Sequence, residues 1–126
     1  MEFISKKILV IEDDPDTLLF IIKNLRKAGY APIGAEDGEI GIKKFKETNP
    51  DLVILDIMLP KIDGWEILKK IKKGFKSKNI PVIVVTAKEE NADKLKSYKF
   101  GADYYMTKPF NIKQLLMILK TVLEKY

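Results

Sequence analysis

Lys7-Ile8-Leu9-Val10-Ile11-Glu12-Asp13-Asp14-Pro15 is the stretch that decides the fold. Four consecutive apolar residues bounded by charge read as a short strand covered on both faces. The run then breaks into three carboxylates. Asp14 followed by Pro15 reads as the N-cap and first residue of a helix. Leu18, Ile21, Ile22 and Leu25 recur at helical spacing, and Gly29 stops the helix. One strand has fed one helix through an acidic corner.

The same unit repeats along the chain. Tyr30 to Ala35 is a weaker strand, followed by a short helix from Ile40 to Phe45. Asp51 to Asp56 is the third strand, and Trp65, Leu68 and Ile71 mark the third helix after the turn at Asp63-Gly64. Ile80 to Thr86 is the fourth strand. Ala92, Leu95 and Tyr98 mark a fourth helix, stopped by Gly101. Asp103 to Thr107 is the fifth strand. Asn111, with Gln114 three residues later, resembles a capping box opening the last helix, Ile112 to Leu123.

Strict alternation predicts an α/β fold, a doubly wound parallel sheet of five strands with five helices on its two faces. Pro32 cannot donate to a ladder, so the second strand belongs at an edge. With right-handed crossovers this favours the order 2-1-3-4-5, the flavodoxin-like arrangement. The 126 residues suit a single domain, 1–126, with no linker, repeat or output domain expected.

Composition narrows the class. The apolar runs are too short to span a bilayer. The N-terminal residues lack a secretory signal pattern, which makes a cytoplasmic location the expectation and membrane association not expected. There is no cysteine or histidine, so thiolate and imidazole metal sites are excluded. The net charge of +5 comes from lysines interleaved with glutamates, and Arg26 is the sole arginine. Direct nucleic-acid binding is therefore not expected.

The strand ends carry the chemistry. The first ends in Glu12-Asp13-Asp14, the third in Asp56, the fourth in Thr86 and the fifth in Lys108-Pro109. In a parallel sheet these ends share one edge, and ligands bind there at the switch point between strands 1 and 3. Neighbouring strands are about 4.8 Å apart, so Glu12, Asp13 and Asp56 converge. Two carboxylates about 4 Å apart repel by on the order of 4 kcal/mol at an effective dielectric near 20. Raised pKa values, a cation or lysine must offset this. Oxygen-only ligands select Mg²⁺ or Mn²⁺. Each piece alone has a plainer explanation: acids favour a helix N-terminus, a strand-ending aspartate forms turns, and threonine suits strands. Their coincidence at four strand ends, with Lys108 as a cation and Thr86 as a hydroxyl donor, points to phosphoryl transfer onto a carboxylate nucleophile.

The stretches Ile8 to Pro15, Asp56 to Gly64 (with Pro60 and Asp63), Val85-Thr86-Ala87 and Lys108-Pro109-Phe110 together resemble a CheY-like response-regulator receiver domain of two-component signalling. The resemblance implies roles. Asp56 would accept a phosphoryl group from a histidine kinase or histidine phosphotransfer protein, in a phosphorelay that switches a protein-interaction face. Asp13 would ligate Mg²⁺ directly, Glu12 through water, and Met58 through its backbone carbonyl. Lys108 would contact the phosphoryl group, the Lys108–Pro109 bond would be cis, and Thr86 with Tyr105 would form a switch pair. Tyr105 also reads simply as a half-exposed strand residue, and Trp65 as helix packing. The output face would be the fourth helix, fifth strand and fifth helix. Met58 and Lys88 flank the site at variable positions, and Met58 cannot orient a hydrolytic water, so slow self-dephosphorylation is expected. Tyr104 stands where one subfamily has an acidic dimer residue, and the last helix has no arginine. A monomer, or a weak phosphorylation-dependent dimer, is therefore expected. The rivals are an aspartyl-phosphate phosphatase, for which Glu12-Asp13-Asp14 lacks the Asp-x-Asp order, a flavin binder, which the acidic edge would repel, and an unphosphorylated interaction module of the same fold. The chain would be a regulatory switch rather than an enzyme, catalysing at most its own phosphorylation and hydrolysis.

Overall fold

Ten elements alternate along residues 5–60, 62–73, 80–87 and 91–125, which the computed structural model describes. They are β1 (Lys7–Ile11), α1 (Pro15–Lys27), β2 (Ala31–Ala35), α2 (Gly38–Thr48), β3 (Leu52–Leu55), α3 (Gly64–Lys73), β4 (Val82–Thr86), α4 (Asn91–Lys99), β5 (Tyr104–Thr107) and α5 (Ile112–Glu124). The five strands form one parallel sheet in the order β2-β1-β3-β4-β5. Pro32 sits in β2, which among the described residues pairs with β1 alone and is an edge, as its missing N–H requires.

Because strand side chains alternate, the apolar runs supply two cores at once. Leu9, Ile11, Val53, Leu55, Val82 and Val84 face one layer, where Ile67, Leu68 and Ile71 of α3 cover them. Ile8, Val10, Leu52, Ile54, Ile83 and Val85 face the other. There Leu18, Ile21 and Leu25 of α1 and Leu115, Leu119 and Val122 of α5 close the layer.

Helix starts follow their local chemistry. Asp14 caps α1, accepting from the Thr17 N–H at 3.0 Å, with Pro15 at the first helical position. Asn111 Oδ1 caps α5, accepting from the N–H groups of Lys113 (2.9 Å) and Gln114 (3.2 Å). The second helix is longer at both ends than the run from Ile40 to Phe45 that periodicity marks. Asp37 caps it through Ile40 N–H at 2.9 Å, and Asn49 ends it in the left-handed region at φ 49°. The strands are slightly shorter than their polar ends suggested. β1 and β3 close at Ile11 and Leu55, although the Glu12 and Asp56 N–H groups still donate to Ala35 and Ile11 carbonyls, each at 3.0 Å. The acids thus begin where the ladder stops, on backbone that the ladder still holds.

Candidate functional site: an acidic edge with a bridging lysine

The β1–β3 pairing is parallel and aligns Ile11 with Leu55, so the residues that follow, Glu12 and Asp56, leave the sheet side by side. Glu12, Asp13 and Asp56 each offer a carboxylate oxygen, and these oxygens lie within 4.8 Å of one another. Glu12 and Asp56 are buried, at 3% and 5% exposure, while Asp13 is exposed.

Lys108 answers the repulsion directly. Its Nζ lies 2.5 Å from Glu12 Oε1 and 2.9 Å from Asp56 Oδ2. The backbone supplies two further donors: Asp14 N–H reaches Glu12 Oε2 at 3.1 Å, and Met58 N–H reaches Asp56 Oδ1 at 2.9 Å. Burial is still the larger influence on Glu12. It pushes the carboxyl up to about 7 from the usual 4.5, helped by the Asp56 charge and opposed by Lys108 and the Asp14 N–H. Burial disfavours the Lys108 charge too, but its hydrogen bonds to Glu12 and Asp56 outweigh that, and its pKa is raised.

The remaining parts surround this cluster. Thr86 is the last residue of β4, fully buried, and its hydroxyl has no hydrogen-bond partner. Its carbonyl accepts from Lys108 N–H at 2.8 Å, tying the ends of β4 and β5 together. The Lys108–Pro109 peptide bond is cis. Tyr105 pairs in register with Val84 and is buried in the α3-side core rather than half-exposed, so the aromatic ring is already inside in this state. The Met58 side chain is exposed, whereas Lys88 lies outside the described residues.

Asp63 and Gly64 do more than turn the chain. A Cβ at Gly64 would lie 2.4 Å from both Cα and O of Ile57, and Gly64 N–H donates to that carbonyl at 3.2 Å. Only glycine lets the loop after Asp56 fold back so closely. Asp63 Oδ1 then accepts from Trp65 N–H at 3.1 Å to start α3. A second feature not foreseen is the Asp14 N–H on Glu12: Asp14 caps α1 through its side chain and steadies the acidic cluster through its backbone. The signal was in the sequence, since an N-cap two residues after Glu12 aims free N–H groups back toward it.

The donor set fits a hard divalent cation: three clustered carboxylates, no nitrogen or sulfur ligand, and a buried hydroxyl still lacking an acceptor. Among the described residues no helix is long and apolar enough to cross a membrane.

A five-stranded parallel sheet of order β2-β1-β3-β4-β5 with a helix after each strand defines a fold class, the CheY-like fold. Residues 8–120 match the family model of the response regulator receiver domain, and the chain belongs to that family. It is 40% identical over 121 residues to the alkaline phosphatase synthesis transcriptional regulatory protein PhoP of Bacillus subtilis, covering 96% of this chain and 50% of that protein. It is 35% identical to the phosphate regulon transcriptional regulatory protein PhoB of Escherichia coli, covering 96% and 53%. The chain therefore spans about half the length of these relatives. Among solved structures, a CheY-like receiver domain protein from Methanospirillum hungatei superposes with a TM-score of 0.91 at 30% identity, covering 97% of this chain and 96% of that one. Membership sets aside the flavin-binder and phosphatase readings and makes the chain a regulatory switch module of two-component signalling.

Proposed function

We propose that Asp56 accepts a phosphoryl group from a phosphohistidine on a histidine kinase or phosphotransfer protein. The observation that carries this is the convergence of Glu12, Asp13 and Asp56 with Lys108 bridging two of them. The histidine must come from a partner, because this chain has none. A carboxylate oxygen of Asp56 forms the new O–P bond while the donor's P–N bond breaks and its electron pair stays on nitrogen. A ring protonated at its other nitrogen then leaves as neutral imidazole on the partner, with an acyl phosphate here.

Glu12, Asp13, Asp56 and the Met58 carbonyl would hold Mg²⁺, or Mn²⁺. Such an ion supplies charge neutralisation to phosphoryl oxygens that would otherwise meet three carboxylates. Lys108, already on Asp56, exchanges part of its carboxylate pairing for the phosphoryl group. The unpartnered Thr86 hydroxyl gains an acceptor there, and Tyr105, two residues before the Thr107 that pairs with Thr86, is the aromatic partner of the switch. These shifts at the ends of β4 and β5 are transmitted to a face built from α4, β5 and α5, where a downstream protein would bind. The domain serves as a monomer or a weak phosphorylation-dependent dimer, and Met58 makes self-dephosphorylation slow.

Incubation with acetyl phosphate and Mg²⁺, followed by intact-mass measurement, tests the reading. The wild type should gain one phosphoryl group and Asp56→Asn none. No gain in the wild type would leave an unphosphorylated interaction module, and equal gain in the variant would move the acceptor elsewhere.

A further inference from the structure

The third helix reaches the fourth through a stack of rings and ammonium groups. Trp65, at the start of α3, meets Phe100, directly after α4, edge to face, with centroids 5.7 Å apart and planes at 85°. Lys96 of α4 places its Nζ 4.7 Å from the Trp65 centroid and 5.7 Å from that of Phe100. Lys69 of α3 lies 4.8 Å over Phe100 from its own helix. Glu66 sits 3.5 Å from Lys69 and relieves part of the repulsion between the two ammonium groups. Cations over aromatic faces attract at short range through the ring quadrupole.

The two helices bring unequal resources to this contact. Trp65 is buried and α3 is anchored by Ile67, Leu68 and Ile71. On α4, Leu95 and Tyr98 turn to solvent, and the buried Ser97 hydroxyl donates to Lys94 within the same helix at 2.8 Å. Among the described side chains, Lys96 and Phe100 carry the ring and cation contacts from the α4 side to α3.

Trp65 is also mechanically close to Asp56. Met58 N–H holds the Asp56 carboxylate, Gly64 N–H holds the carbonyl of Ile57, and Trp65 follows Gly64. A change of charge and hydrogen bonding at Asp56 acts on this short loop, and the loop ends at the ring that Lys96 covers.

We propose that Lys96 and Phe100 clamp α4 onto Trp65 in the unphosphorylated protein, that phosphorylation of Asp56 releases the clamp, and that Lys96 is a positioning residue setting the balance between the two states. The release rests on Asp56 being the acceptor; the clamp does not.

Hydrogen exchange of the amides of residues 94–99 in the full chain tests both, with phosphoryl content counted by intact mass. Unphosphorylated Lys96→Met should exchange about two- to fivefold faster there than wild type, and Lys96→Arg, which keeps the cation, should match wild type. Phe100→Leu should resemble Lys96→Met. Wild type carrying one phosphoryl group should show the same acceleration, and Lys96→Met should gain little more. Lys96→Met should also take the phosphoryl group from acetyl phosphate faster by a similar factor, because less of it rests in the clamped state. Wild-type exchange in Lys96→Met, or failure of Lys96→Arg to restore protection, overturns the clamp. Fully phosphorylated wild type with unchanged exchange overturns the release. Absence of any mass gain overturns the acceptor reading and the release with it, while the unphosphorylated variants still judge the clamp.

Discussion

The third and fourth helices touch, yet different physics holds each in place. α3 buries Trp65, Ile67, Leu68 and Ile71 against the sheet, and its first residue is wedged against the backbone after Asp56. α4 leaves Leu95 69% exposed and Tyr98 39% exposed, and meets α3 through cations and ring edges. Area burial holds α3 strongly and gives it one position. Contacts of the cation–π kind are each worth about 0.5–1 kcal/mol at exposed sites and can be exchanged for water. A switch needs both properties: a site that keeps its geometry, and a neighbour whose position can change for a coupling energy of about 1–3 kcal/mol.

The contrast breaks most sharply under matched truncations. Leu68→Ala in α3 should cost about 2–5 kcal/mol of unfolding free energy, whereas Leu95→Ala in α4 should stay within about 0.5 kcal/mol. Urea titration of both variants measures this, and similar losses would mean that α4 is packed as α3 is. Gly64→Ala is next in size. The added methyl must push the Ile57 backbone, so a loss of about 1–3 kcal/mol is expected. Phosphoryl uptake should fall with it, because the displaced loop supplies the Met58 N–H that holds the Asp56 carboxylate.

Titration sharpens the fixed side of the comparison. Glu12 in the folded protein binds its proton up to about pH 7, against the usual 4.5. Between those values the native state holds a proton that the unfolded chain has released, so stability falls as pH rises through the window and levels above it. Metal binding needs the carboxylate, so Mg²⁺ affinity should run the opposite way, tightening by on the order of tenfold per pH unit below about 7. Isothermal titration at pH 5, 6 and 7 reads this. Glu12→Gln should flatten both slopes, and a slope that survives the substitution would assign the proton to another group.

The sheet was legible because its apolar runs are unbroken and end abruptly in acids, and because Pro32 marks its own strand as an edge. The convergence of Glu12, Asp13 and Asp56 was legible for a related reason. A parallel sheet gathers strand ends without reference to loops. Lys108 was legible on that edge for the same reason, as the end of the fifth strand. What the residues did not disclose is that its ammonium bridges Glu12 and Asp56 directly, across 96 and 52 residues. Leu95 and Tyr98 identify a helix by spacing, but spacing does not say that this helix turns them to water. Tyr105 was ambiguous between buried and half-exposed because alternation in a four-residue strand is too short to orient it, and its register with Val84 settles the point. Gly64 read as a turn residue, and only the fold-back onto Ile57 shows what its missing side chain is for.

Thr86→Val gives the smallest expected effect and bears on the boundary between the two regions. The Thr86 hydroxyl is fully buried at the end of β4 with no partner, so in the unphosphorylated protein it is a polar group removed from water without compensation. Valine has nearly the same shape and removes that deficit. Resting stability should therefore stay level or rise by up to about 1 kcal/mol, against the usual direction for a buried substitution. The same change should blunt the response of α4 to phosphorylation, because no hydroxyl is left to find an acceptor on the modified Asp56. Urea titration of the resting protein and hydrogen exchange of α4 before and after acetyl phosphate read the two halves separately. A destabilised Thr86→Val would show that the hydroxyl is already hydrogen-bonded in solution. Thr86 would then belong to the fixed scaffold with α3, and the phosphoryl group would have to compete for it.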